Sequence, residues 1–171
     1  VNSIRNVDEL MVSILDQLIQ ALAVDRAALF LEDNAGKLIF AKGRNGLQET
    51  LSGADPAVRK IAQTVWAGGE PIVSANPLED PRLSGVSVSP QATGRVLCAQ
   101  LKVSGRKTGV LYADGSARAG GLSEAAISLF AAFCNLAAVA ISNAVADQGR
   151  SDCKVANGRR KSNNRYPELV G

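Results

Sequence analysis

Residues 95–114 read RVLCAQLKVSGRKTGVLYAD, two apolar runs joined by a short turn that holds Gly105. Leu97, Ala99, Leu101 and Val103 share one face of the first run, and Val96, Cys98, Gln100 and Lys102 share the other, which is the two-residue period of a β-strand. In the second run Gly109, Leu111 and Ala113 face one way and Thr108, Val110, Tyr112 and Asp114 the other. The pattern predicts an antiparallel hairpin with a small, apolar face and a mixed face. The apolar face needs a cover, and residues 122–147 contain enough Ala for a helix to approach it closely. The mixed face is where a pocket can open.

Outward from the hairpin, Asn6-Val7-Asp8-Glu9 reads as a capping box that opens a helix. Val7, Leu10, Met11, Ile14, Leu15, Leu18, Ile19 and Leu22 follow at helical spacing, with Val12 and Ala21 widening the stripe. So broad an arc predicts contact with a second surface besides the helix's own domain. Residues 27–31 and 37–42 read as two strands around a turn ending in Gly36, and residues 44–54 as a loop. Asp55-Pro56 gives a helix cap with Pro at the first position, and Gly68-Gly69 ends that helix. Residues 71–74 read as a short strand. Residues 75–93, with Pro77, Pro81, Gly85 and Pro90, read as a long irregular crossover suited to a lid.

The chain of 171 residues has 46% hydrophobic and only 4% aromatic content, so the expected core is built from small aliphatic side chains. Residues 1–146 carry 13 Lys/Arg and 13 Asp/Glu, and the formal charge of +3 comes from the tail. A neutral body without a clustered basic face argues against nucleic-acid contact by this domain. Residues 129–141 form the longest apolar run but are too few to span a bilayer. Cys98, Cys134 and Cys153 read as reduced thiols. A cytoplasmic protein without membrane contact is expected.

Ser123 caps the last helix, which over residues 122–147 is about 40 Å long. Ser128, Asn135 and Ser142 recur every seventh residue, leaving a thin polar line on an otherwise apolar helix. With the first helix equally broad, the expectation is a parallel helical-bundle homodimer through residues 7–23 and 122–147. Residues 148–165 turn basic and Asn-rich and read as a linker or disordered tail.

The order helix, strand, strand, helix, strand, crossover, strand, strand, long helix resembles the GAF domain family over residues 5–147. The stretches that carry the resemblance are DELMVSILDQLIQALAVDRAALFLED, IAQTVWAGGEPIVSANPLEDPRL, VLCAQLKVSGRKTGVLYAD and GLSEAAISLFAAFCNLAAVAISNA. It implies an α+β, PAS-like fold: an antiparallel sheet of about six strands, terminal helices on one face and a crossover lid over a small-molecule pocket on the other. The closing YPELVG resembles the start of the AAA+ ATPase module of bacterial sigma-54-dependent (enhancer-binding) transcription activators, where a GAF domain is the sensory input. On that resemblance residues 166–171 begin a truncated module, and the chain is a piece of a longer transcriptional regulator.

The candidate ligand-binding residues are Arg82, Arg95, Cys98, Gln100 and Tyr112. Arg82 belongs to an Asp80-Pro81-Arg82 turn in the crossover, where a bond to Asp80 competes with ligand contact as its role. Arg95 offers a planar fork for an anion at the strand start, or a solvated strand end. Cys98, Gln100 and Tyr112 share the mixed faces, although packing alone accounts for a strand Cys. Asp114 reads as a turn former. The absence of His removes the usual haem axial ligand, the commonest zinc ligand and every Ser-His or Cys-His pair. No metal site or named cofactor is implied.

The NKxFDE signature of cyclic-nucleotide-binding GAF domains and the Cys-His pair of bilin-attaching ones are absent. The expected function is therefore a non-catalytic sensory domain for an unidentified small-molecule effector, signalling through a dimeric terminal helix to a downstream output domain. The alternatives are a ligand-free dimerisation or docking module and, as a family precedent, a thiol-dependent free methionine sulfoxide reductase.

Overall fold

The computed structural model describes residues 2–86, 94–116 and 122–162. Helix α1 (Asn2–Leu22) leads into strands β1 (Arg26–Glu32) and β2 (Leu38–Asn45), helix α2 (Pro56–Gly68) and strand β3 (Ile72–Ser74). A single 3-10 turn (Pro81–Leu83) precedes strands β4 (Arg95–Val103) and β5 (Arg106–Gly115) and helix α3 (Glu124–Ser162). The sheet is antiparallel, in the order β2-β1-β5-β4-β3. It has five strands among the described residues, where about six were expected.

The hairpin divides the core as its alternation predicts. Leu97, Leu101, Leu111 and Ala113 join Leu15 and Leu18 of α1 and Ala137 and Ala138 of α3 in one apolar cluster. Both terminal helices thus lie on one side of the sheet and pack on each other. Val96, Cys98, Val110 and Tyr112 point to the other side, where they meet Val58, Ile61, Ala62 and Val65 of α2. Helix α2 therefore forms most of the roof over the mixed face. The described part of the crossover adds Leu83, and residues 87–93 lie outside the described set.

Local chemistry sets the α2 boundaries. Asp55 Oδ1 accepts the Val58 N–H at 2.9 Å, Pro56 fills the first turn, and Gly69 at φ 80° closes the helix with its N–H on Val65 O. Ser123 caps α3 through the Ala126 N–H at 3.1 Å. Two expectations fail at the outer ends of the terminal helices. Helix α1 begins at Asn2, so Asn6 lies within it and caps nothing. Helix α3 continues past residue 147 through Ser162, so residues 148–162 are helical, which removes the disordered-tail alternative and leaves the linker one. Residues 163–171, including YPELVG, lie outside the described set.

The two apolar helices use their stripes differently. Val7, Met11, Ile14, Leu15, Leu18, Ile19 and Leu22 of α1 are all buried within the chain, so its broad arc is spent on the core. Helix α3 buries Phe130, Cys134, Ala137, Ala138 and Ile141 yet exposes Leu129, Leu136, Val139 and Val145. By length and composition Glu124–Lys154 is apolar enough to cross a membrane, and its inner face is packed against the sheet and α1.

Candidate functional site

Antiparallel pairing of β1 with β5 sets Arg26 opposite Asp114 and Ala28 opposite Tyr112. Strand alternation turns Arg26, Tyr112 and Asp114 onto the face covered by α2, and the α2 cap brings Asp55 to the same place. Arg26 Nε donates to Asp114 Oδ1 and Oδ2 at 2.8 Å, and Nη1 donates to Asp55 Oδ2 at 2.9 Å. The Tyr112 hydroxyl donates to Asp114 Oδ2 at 2.5 Å. Asp114 is 0% exposed, so the turn-former reading is wrong: it is a strand residue in the interior.

Burial raises the Asp114 carboxyl above its ordinary value, while the hydrogen bonds and charge of Arg26, with the Tyr112 hydroxyl, pull it back. Burial also works against the Arg26 charge. The hydrogen bond and charge of Asp114, with the hydrogen bond to Asp55, outweigh it, so the guanidinium holds its proton more firmly than usual. Tyr112 is raised by burial and by the neighbouring Asp114 charge, so its hydroxyl stays a donor.

One part of this cluster is unfinished. Arg26 Nη2 is buried and has no hydrogen-bond partner among the described residues. Beside Arg26 lies a cavity of about 20 Å³, also lined by Tyr112, Phe40, Leu51, Ala54 and Val58. That space holds about one water molecule. A bound group must therefore be small or must move the wall formed by residues 51–55.

The five residues singled out in the sequence do not converge. Cys98 and Tyr112 are cross-strand neighbours and fully buried. Gln100 Nε2 donates to Val65 O at 3.0 Å and Trp66 O at 2.9 Å, closing the end of α2. Arg82 grips Asp80 Oδ2 at 2.7 Å and Val73 O at 3.0 Å, while Asp80 Oδ1 accepts the Arg82 N–H at 3.0 Å. Arg95 Nη2 donates to Ala23 O at 2.6 Å, at the end of α1.

Of the five, Tyr112 alone joins the polar centre, with Arg26, Asp55 and Asp114. The alternation that put Asp114 beside Tyr112 on the mixed face was the available signal, whereas nothing in the sequence marked Arg26.

A larger open cleft of about 610 Å³ runs between α1 and the turn at residues 45–48. Of its carboxylates, Asp16 is held by Arg44 and Asp8 by Lys42. It lacks the buried convergent groups of the Arg26 cluster. Among the described residues no group of His, Cys, Asp and Glu could hold a metal ion. Cys98 and Cys134 are buried, and burial raises both thiols, Cys134 to about 12.

A family model of the GAF domain matches residues 5–142. Among solved structures, the chain is similar to the GAF domain of a phosphoenolpyruvate-protein phosphotransferase from Coxiella burnetii (TM-score 0.61, 18% identity, 84% of this chain and 87% of that one). It is also similar to the GAF-B domain of DevS from Mycobacterium smegmatis (0.56, 15%, 80% and 93%). A third likeness is to the GAF domain/HD domain protein from Geobacter sulfurreducens (0.56, 13%, 80% and 93%). At these identities the likeness is one of fold. No curated protein matches the sequence.

Proposed function

The chain belongs to the GAF domain family, a family of sensory and regulatory modules in signalling proteins, and on that premise we propose that it is a non-catalytic sensor whose ligand site is the Arg26 cluster. The observation that carries this reading is the unpartnered Nη2 of Arg26 beside a small cavity. A buried guanidinium nitrogen without an acceptor is costly, and a ligand oxygen would satisfy it. Asp114 and Asp55 already surround the cation with two carboxylates, so a ligand that leaves both in place would be neutral, with a carbonyl or hydroxyl acceptor.

A ligand carboxylate fits by a second route. Asp55 is about a third exposed, and a carboxylate that displaced it from Nη1 while filling Nη2 would make a two-pronged contact. Because Asp55 also caps α2, its displacement would couple the ligand to the roof of the site. The effect would then pass through the sheet to α3 and, in a homodimer, onward to an output domain. The resemblance of YPELVG supports, as that output, the AAA+ module of a cytoplasmic sigma-54-dependent transcription activator. Buried, protonated Cys98 and Cys134 are poor nucleophiles, which supports the non-catalytic part.

A thermal-shift screen of small carboxylates, amides and nucleotides against the wild type and Arg26→Gln tests the proposal. A ligand at about 100 times its Kd adds roughly 2.7 kcal/mol, several degrees of Tm for a domain of this size. The shift should vanish in Arg26→Gln. If no compound moves the wild-type transition, the second reading stands: a ligand-free dimerisation or docking module. The tightness of the cavity and the engagement of Arg82 and Gln100 within the chain favour that reading.

A further inference from the structure

A groove of about 210 Å³ opens where α3 leaves the sheet, on the face opposite the Arg26 cluster. Leu31 of β1, Leu101 of β4 and Ile141 of α3 form its apolar wall, and Glu32, Arg106, Thr108 and Ser142 supply its polar groups. Thr108 is there by a departure from strand alternation, which would turn it toward α2 with Val110 and Tyr112. Strand β4 pairs Leu101 with Gly109 and Lys102 with Lys107, so Thr108 has no partner in the register. A bulge of this kind re-aims a side chain. Lys107 stays on the α2 side, its Nζ donating to Trp66 O at 2.9 Å, while Arg106 and Thr108 join Ser142 of α3 in the groove.

These polar groups are under-used. Arg106 Nη2 lies 3.5 Å from Glu32 Oε2, beyond the range of a good N–H···O bond. Ser142 is half-buried and has no hydrogen-bond partner among the described residues. Thr108 Oγ1 donates to Leu101 O at 3.2 Å, which leaves its lone pairs free to accept. We propose that the groove is a second ligand site, for a small zwitterion with an aliphatic body, an aliphatic α-amino acid being the simplest. Its ammonium group sits between Glu32 and Thr108, its carboxylate on Arg106 and Ser142, and its side chain against Leu31, Leu101 and Ile141. The charges select this class: a bare anion meets Glu32 and a bare cation meets Arg106, whereas a zwitterion opposes each. Glu32 is 25% exposed and Arg106 79%, so the ammonium lies deeper and the carboxylate at the mouth. The volume falls below that of pockets for drug-sized ligands and suits a single amino acid. Such a ligand fastens α3 to β1 and β5 beside Ile141, the last buried residue of the helix among those described. This site is separate from the one assigned to the sensory reading.

Isothermal titration of the full chain with L-leucine, 4-methylpentanoate and 3-methylbutylamine is the test, the last two each lacking one of the charged groups. L-leucine should bind one molecule per chain, and each analogue about tenfold more weakly or worse. Glu32→Gln and Arg106→Gln, both at the surface end of the groove, should weaken L-leucine by a similar factor. Ser142→Leu, which fills the groove, should abolish binding, and Arg26→Gln should leave it unchanged. The absence of any heat with L-leucine overturns the proposal. So does equal binding of the two analogues, or binding that Glu32→Gln and Arg106→Gln both leave intact. Binding lost in Arg26→Gln and kept in Arg106→Gln also overturns it and assigns the ligand to the Arg26 cluster, so the two sites fail separately.

Discussion

Asp114 and Arg26 face each other across β5 and β1, with the guanidinium Nε at 2.8 Å from both carboxylate oxygens. Arg26 is 18% exposed and Asp114 not at all, so removing the carboxylate leaves a largely buried cation held by Asp55 alone. Asp114→Ala should lower unfolding free energy by about 3–5 kcal/mol. Replacing both residues by Leu should recover a large part of that loss. Tyr112→Phe removes only a hydrogen bond to a charged acceptor and should cost about 1.5–3 kcal/mol. Urea denaturation of the four proteins decides the order.

Gly109 shows where the sheet has no room. A Cβ there would lie 2.3 Å from Phe30 O on β1, whereas one on Gly68 in α2 would meet nothing within 4 Å. Gly109→Ala should cost about 3 kcal/mol. Gly68→Ala should be neutral or stabilise by up to about 1 kcal/mol. Equal thermal shifts in the two variants would contradict this placement.

Asp80 sets a pH dependence. The Arg82 side-chain hydrogen bond holds its carboxyl well below the ordinary 3.8. Since the folded value is depressed, the stabilisation is complete above 3.8 and is lost as pH falls toward the lowered value. Asp80→Ala should be less stable than the wild type by about 1 kcal/mol at neutral pH, the half-exposed Arg82 keeping the effect modest. That gap should stay constant down to about pH 5 and close in more acid solution. A gap that widens on acidification would reverse the assignment.

The thiols should separate by burial. Cys153 is exposed and Cys98 and Cys134 are buried. Ellman's reagent should titrate one thiol per native, reduced chain promptly and three after unfolding. Prompt reaction of Cys98 would mean that the α2-covered face opens readily.

Much of the fold was legible because its signals are local. The two-residue alternation of the hairpin, the Asp55-Pro56 start of α2 and the Ser123 cap of α3 each depend on neighbours within a few residues. The site was less legible because its central contact joins residues 88 apart in sequence. Pairing β1 with β5 is a property of the whole sheet. The extension of α3 was hidden for another reason: beyond residue 147 the apolar period gives way to charge and Asn, which removes the signal that marks a core-facing helix.

Beyond Ile141, α3 runs for roughly 30 Å before Ser162, at about 1.5 Å per residue. A rod of that length is a lever. A tilt of about 10° where it leaves the domain would sweep its far tip through about 5 Å, the width of a helical turn. A rearrangement too slight to notice at the sheet would thus arrive as a displacement large enough to break one interface and make another.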